Sequence, residues 1–142
     1  MRCADHALEY RKLADIKPYQ KNPRKNDKAV TAVANSIREY GFQSPIIVDR
    51  DGVIIAGHTR YKAAKRLRLS TVPVIVAAEL TPEQAKELRI ADNSTSEVAE
   101  WDLPVLSAEL AQLTFDPAKF GLPVDLLLSL IHISEPTRPR LI

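Results

Sequence analysis

The stretch Val53-Ile54-Ile55-Ala56-Gly57-His58-Thr59-Arg60-Tyr61-Lys62-Ala63-Ala64 constrains this chain more than any other. An apolar, β-prone run ends at one glycine and passes straight into a basic segment with helical spacing. A strand must therefore feed a helix through a turn that glycine takes most easily. The first N–H groups of a helix have no intrahelical acceptor, and the macrodipole puts partial positive charge there, so such a turn favours a phosphate. Arg60 shares a predicted helix face with Ala63, Ala64 and Leu67. A cation in the first turn opposes the macrodipole by a few tenths to about 1 kcal/mol, which a bound anion would offset. No P-loop pattern and no Gly-x-Gly-x-x-Gly fingerprint occurs. The alternative reading is a tight strand-to-helix turn followed by a solvated arginine.

The formal charge of +2 over 142 residues is close to neutral, but it is unevenly spread. No acidic residue lies between Asp51 and Glu79, whereas Arg60, Lys62, Lys65, Arg66 and Arg68 fall on or beside one predicted helix. Lys65 and Arg66, beyond the first turn, are candidate DNA contacts, with a solvated helix face as the plain alternative. Cys3 is the only cysteine, so a disulfide framework and a thiolate metal site are excluded and cytoplasmic residence is expected. The N-terminus has no signal-peptide pattern. The apolar run Leu126 to Ile133 falls far short of the roughly 20 residues a spanning helix needs, so no membrane partner is expected.

Tyr10 to Ile16 reads as a strand stopped by Pro18, followed by a polar loop over Tyr19 to Asn26. Asn26 or Asp27 then caps a helix with Val30, Val33, Ala34 and Ile37 on one face and Gly41 just past its end. Pro45 to Asp49 and Val53 to Ala56 form a hairpin around Arg50-Asp51-Gly52. The basic helix should end near Leu69. Thr71 to Ala78 is a buried strand whose Pro73 places it near a sheet edge or at a strand start. Thr81-Pro82-Glu83-Gln84 announces a capping box, with Pro82 in the first helical position, and the helix should run to about Ala91. Asp92 and Asn93 would then stand at its C-terminal end, where an acid is disfavoured. Asn93 alone fits a left-handed helix cap, but an acid beside an amide also suits a magnesium ion bridging phosphates. Asp102 caps a further helix with Leu103, Leu106, Leu110 and Leu113 in one stripe, and Trp101 before it suits a hydrophobic staple or core anchor. From Thr114 the prolines mark a linker without a packed fold.

Several of these segments together resemble the ParB-type N-terminal domain, the mixed-sheet α/β fold with flanking helices shared with sulfiredoxin, over roughly Tyr10 to Asp102. They are Ile16-Lys17-Pro18 with Asn22-Pro23-Arg24, Val33 to Gly41, Ser44-Pro45-Ile46-Ile47-Val48, Ala56 to Ala64, Val72-Pro73-Val74-Ile75-Val76 and Ala91-Asp92-Asn93. The resemblance implies a nucleotide, CTP or ATP with Mg²⁺, at Gly57, His58, Thr59, Arg60 and Lys62, with Asp92 and Asn93 as the metal-binding pair. In chromosome-partition members a Gly-Glu-Arg-Arg-x-Arg-Ala box cradles the triphosphate of CTP. Here His58 stands in place of the glutamate, Thr59 in place of the first arginine, and Ser94-Thr95-Ser96 in place of the Ile-Gln-Arg after the asparagine. Sulfiredoxin's reductase chemistry needs a cysteine where this chain has His58-Thr59.

The Gly-His-Thr-Arg-Tyr-Lys-Ala-Ala version of the box looks most like the ParB-like domain at the N-terminus of phage and prophage DNA methyltransferases. This chain has no Asp-Pro-Pro-Tyr or Asn-Pro-Pro-Tyr motif, so the resemblance implies an accessory module with its methyltransferase domain missing. The expected division is a domain over 8–100, a helical arm over 101–125 and a tail over 126–142. Leu128 to Pro139 in that tail resembles a translated sequencing adapter. Nucleotide or DNA is the implied partner, with homodimerisation left open. The rival is a stand-alone ParB-like nuclease or nucleotide-hydrolysing enzyme, with His58 as general base and Asp92 as metal ligand.

Overall fold

The strands are short, and their apolar residues alternate between two covered faces. The computed structural model describes residues 6–20, 27–98, 102–114 and 116–120. The chain divides into two compact units, Met1–Val98 and Ala99–Ile142. The first runs β1 (Leu8–Lys12), a 3-10 turn (Leu13–Asp15), α1 (Asp27–Tyr40), β2 (Ile46–Val48), β3 (Ile54–Ala56), α2 (His58–Arg66), β4 (Thr71–Val76) and α3 (Pro82–Val98). Its sheet has the order β1-β4-β2-β3 and is mixed: β1 is antiparallel to β4, β4 parallel to β2, and β2 antiparallel to β3.

Ile46, Val48, Ile54, Val72 and Val74 bury on one face together with Ile16 and with Ala64 of α2. Ile47 and Ile55, each one residue along, turn to the other face and meet Ala77 and Leu80, from the segment before α3, and Ala85 of α3 itself. With both faces covered, the strands read as continuous apolar runs, and each fully buried Val or Ile contributes about 1.5–3 kcal/mol. α1 packs Val30 and Ala34 onto Ala63 of α2. Ala63 and Ala64 are both 0% exposed, and their small side chains let α2 lie close to the sheet and to α1 at once.

Asp49 organises the hairpin. Its amide donates to Val53 O (2.8 Å), its carbonyl accepts from Gly52 N–H (3.0 Å), and its Oδ1 accepts from the amides of Asp51 (2.9 Å) and Val53 (3.0 Å). Gly52 takes φ +81°, the left-handed position of a three-residue hairpin loop. The capping box of α3 forms as expected: Thr81 N–H donates to Gln84 Oε1 (3.0 Å) and Gln84 N–H to Thr81 Oγ1 (3.1 Å).

Four expectations are corrected. The first strand is displaced to Leu8–Lys12, and Leu13–Asp15 forms a 3-10 turn. Leu13 and Ile16 are three apart, which suits one side of such a turn better than a strand of period two. β4 is an interior strand, which excludes the sheet-edge placement of the two that Pro73 suggested. Its Pro73 is tolerated because pairing with β2 begins only at Val74, so that at Pro73 the strand is paired on the β1 side alone. The basic helix ends at Arg66 rather than near Leu69. α3 continues past Ala91 to Val98, so Asp92 and Asn93 lie within the helix and not at its C-terminal pole. No Gly or Pro follows Asn93 before Pro104, and weak helix formers such as Ser94, Thr95 and Ser96 do not end a helix by themselves.

At the end of α2, Leu69 N–H reaches Ala64 O (3.0 Å) and Arg68 N–H reaches Lys65 O (3.1 Å), with Arg68 at φ +60° where helices of this ending usually place glycine. Arg68→Gly should therefore raise stability by about 1 kcal/mol, read as a higher denaturant midpoint at unchanged slope.

In the second unit, α4 (Leu103–Ala111) is capped by Asp102, whose Oδ1 accepts from Val105 N–H (3.3 Å). Leu103, Leu106 and Leu110 are half-buried and Leu113 is exposed. A short 3-10 turn, Pro117–Phe120, interrupts the stretch expected to be a linker. Trp101 and residues 121–142, with the apolar run and the adapter-like tail, lie outside the described residues. No described helix is long and apolar enough to cross a membrane.

Candidate functional site

Gly57 opens α2 at φ +108° and ψ 23° and, having no side chain, brings no cap of its own to this helix end. A Cβ there would stand 3.2 Å from Ile46 Cγ1, 3.3 Å from Ile46 Cα and 3.2 Å from Arg60 Nη2, so both the backbone angle and the space require glycine. The register between β2 and β3 shifts immediately before this turn, between Ile47 and Val48. Such a bulge re-aims the chain that follows it.

Arg60 is not a solvated surface charge. Its Nη2 donates to Pro45 O (3.1 Å), and its Nε is buried with no hydrogen-bond partner among the described residues. Burial pushes its pKa below the ordinary arginine value, and the negative charge of Asp92 acts in the opposite direction. The α3 carboxylate is thus electrostatically coupled to the first turn of α2, although α3 covers the other face of the sheet. Thr59 and Lys62 are half-buried and Asp92 is exposed, while the side chain of Asn93 lies outside what is described.

His58, the first residue of α2, is half-buried, and its Nε2 accepts from the Tyr19 amide (3.1 Å). Its pKa is lowered from 6.5 to about 4, first by burial and then by the charges of Arg89 and Lys62. The folded chain therefore refuses a proton that the unfolded chain accepts. Stability that is complete above pH 6.5 should fall as pH drops towards about 4, and the loss is complete below that value. Denaturant midpoints measured from pH 7 to pH 4 should fall more steeply for the wild type than for His58→Gln, which has an amide oxygen to accept from Tyr19 and no proton to take up.

Sequence reasoning missed Arg89. It is 6% exposed, donates from Nε to Ile54 O (2.8 Å) and from Nη2 to Asp49 Oδ2 (3.0 Å), and lies 4.2 Å from the centroid of the Tyr19 ring. The signal available was an arginine four residues after Ala85, on the face that α3 turns to the sheet.

Lys65 and Arg66 are exposed and do not join the first-turn group. Lys65 Nζ sits 5.5 Å from the Tyr61 ring centroid and lines an open cleft of about 640 Å³ with Lys12, Leu13, Ala14, Tyr61, Leu69, Ser70 and Thr71. Arg66 Nη1 donates to Thr31 Oγ1 (2.8 Å) and ties α2 to α1. Among the described residues no three His, Cys, Asp or Glu side chains converge as a metal site. A cation here would have to be held chiefly by phosphate oxygens, with Asp92 as a single carboxylate, an arrangement Mg²⁺ accepts.

Helices on both faces of a short mixed sheet, with a glycine-opened basic helix leaving the edge strand β3, define a ParB/sulfiredoxin-like α/β domain. The chain belongs to the ParB N-terminal domain family, whose family model matches residues 4–94. It is 42% identical over 78 residues to the ParB-like nuclease domain-containing protein YnaK of Escherichia coli, covering 54% of this chain and 90% of that one. It is 35% identical over 95 residues to stage 0 sporulation protein J of Bacillus subtilis, covering 63% of this chain but only 33% of that protein. Among solved structures it resembles the C-terminally truncated chromosome-partitioning protein ParB of Caulobacter crescentus complexed with CTP-gamma-S. That match has a TM-score of 0.62 and 26% identity, over 72% of this chain and 60% of the other. Sulfiredoxin of Arabidopsis thaliana matches with a TM-score of 0.50 and 29% identity, over 58% of this chain and 96% of that one.

Proposed function

We propose that this domain binds the phosphates of a nucleoside triphosphate at the Gly57–Arg60 turn. The observation that carries the reading is a glycine that brings no side-chain cap to the N-terminus of α2, with Arg60 in the first turn and its Nε buried without a hydrogen-bond partner among the described residues. The first N–H groups of a helix, its positive pole and a desolvated cation all favour an anion. The relative complexed with CTP-gamma-S makes CTP the first nucleotide to test, with ATP second. Mg²⁺ would be held between the phosphates and Asp92, and Asn93 would supply an amide oxygen. Titrating the four triphosphates by calorimetry, with and without Mg²⁺, tests the reading: Asp92→Asn should weaken binding only when Mg²⁺ is present. Failure of every triphosphate to bind would overturn it.

DNA contact is a separate and more peripheral role, at Lys65 and Arg66. Replacing both with glutamine should weaken binding of a short duplex and flatten its salt dependence by about one to two charges, while leaving triphosphate affinity unchanged. A drop in triphosphate affinity comparable to that of Arg60→Ala would move the phosphate site away from the helix N-terminus.

The nuclease reading, suggested by the name of the YnaK relative, has less support in this geometry. The His58 Nε2 lone pair is engaged by Tyr19 and its pKa is far below neutrality, which leaves a poor general base. Plasmid nicking that needs Mg²⁺ and disappears with Asp92→Ala would favour it. The accessory role beside a DNA methyltransferase rests on the Gly57-His58-Thr59-Arg60-Tyr61-Lys62 variant of the box. Recovery of a downstream reading frame with an Asp-Pro-Pro-Tyr-like motif would support that role, and its absence would favour a free-standing binding protein.

A further inference from the structure

We propose that Arg89 is a positioning residue for the phosphate site: its guanidinium fixes Tyr19, and Tyr19 fixes His58, so that Tyr19 forms a set wall beside the first turn of α2. The inference rests on the phosphate reading given above and assigns to α3 a part in it separate from that of Asp92.

The chain of contacts is continuous. Arg89 is anchored at two points of the hairpin, Ile54 O through Nε (2.8 Å) and Asp49 Oδ2 through Nη2 (3.0 Å), which together fix the plane of its fork. The Tyr19 ring faces that fork at 4.2 Å. The Tyr19 amide in turn donates to His58 Nε2 (3.1 Å), at the residue directly after Gly57. A lysine could keep the charge but could not hold two acceptors and present a flat face to an aromatic ring at once. A buried ion pair is weak evidence for stability in itself, since an apolar pair of the same volume often serves as well, and what this one supplies is orientation.

The charge also has a consequence for hydrogen bonding. The charged groups acting on His58 are Arg89 from α3 and Lys62 from α2, and both disfavour its protonation. A neutral imidazole can accept the Tyr19 N–H at Nε2. A protonated one would present a donor to a donor, and the wall would part from the helix. Arg89 therefore acts twice, through the ring it supports and through the proton it repels.

The test uses the full chain, with Arg89→Gln, Arg89→Lys and Tyr19→Leu. Two readouts are taken: CTP affinity in Mg²⁺ by calorimetry, and NMR of the ligand-free protein following the His58 ring titration and the Tyr19 amide. Arg89→Gln should raise the His58 midpoint part of the way back towards 6.5, burial being the larger cause of its displacement, shift the Tyr19 amide and weaken CTP binding about tenfold, although Arg60 is untouched. Arg89→Lys should leave the His58 midpoint low and still weaken binding, separating the fork from the charge. Tyr19→Leu keeps both Arg89 hydrogen bonds and should weaken binding alike, which preserves the test if Arg89→Gln fails to fold. Wild-type affinity in Arg89→Lys and Tyr19→Leu, with the Tyr19 amide unmoved in Arg89→Lys, would overturn the positioning role alone. Absence of CTP and ATP binding by the wild-type chain would instead overturn the proposed function, and with it the site that Arg89 serves.

Discussion

Asp49→Ala should lower the stability of the domain by about 3 kcal/mol, the largest loss expected from any single polar side chain described here. Asp49 Oδ2 is the acidic partner of Arg89, with side chains 18% and 8% exposed respectively, so its removal leaves a buried guanidinium without its counter-charge. The same carboxylate accepts two amides in the hairpin turn through Oδ1, and those donors would have to turn to water. Asp49→Asn separates the two contributions. It retains an oxygen for the turn but not the charge, so it should cost less than the alanine variant. Chemical denaturation of the three proteins at pH 7 checks this, and a loss below about 1 kcal/mol for Asp49→Ala would mean that water relieves Arg89.

Arg60→Ala should weaken triphosphate binding by about 1.5–3 kcal/mol, roughly 10- to 150-fold, while changing stability by less than about 1 kcal/mol. The two effects differ in size because the folded state gains little from this cation. Among the described residues its Nε is buried and unpaired, and its place in the first turn opposes the helix macrodipole, so truncation relieves both penalties while giving up the bond to Pro45 O. On the proposed reading, a bound anion offsets both penalties. Calorimetric titration beside a thermal melt of the same samples measures both quantities. Unchanged affinity, or an affinity loss explained by unfolding, would remove Arg60 from the site.

The turn at Gly57 was legible because it depends on local chemistry: a glycine between an apolar run and a helical pattern specifies its own geometry, whatever packs around it. The capping box of α3 and the Asp-Gly hairpin were legible for the same reason. The length of α3 was not, because Ser, Thr and Asn are weak helix formers whose local alternatives lost to the continuation of the helix. The interior place of β4 was hidden because Pro73 is read as an edge signal, whereas β2 pairs only with the part of the strand beyond it. Arg89 was hidden because its partners, Asp49, Ile54 and Tyr19, come from three segments distant in the sequence. No periodicity reports which of several arginines will be drawn inward. Asp92 drew notice as an acid at a helix end, an argument that does not apply to a residue within a helix. Its electrostatic coupling to Arg60 exists nonetheless, and it comes from how α2 and α3 are arranged around β3.

The register that pairs Leu8 with Ile75 joins residues separated by almost half the chain. During synthesis β1 leaves the ribosome well before β4, its partner among the described residues, which follows the hairpin and both α1 and α2. Until β4 arrives, the N-terminal strand has an apolar Leu8 and Tyr10 and no sheet to join, and afterwards it closes the outer side of β4 as the most non-local step of assembly. An N-terminal truncation into Leu8–Lys12 would spare the hairpin and the α1–α2 pair but leave β4 as an open, valine-rich edge. Aggregation would then be the first defect to appear, ahead of any loss of the local turns on which the site is built.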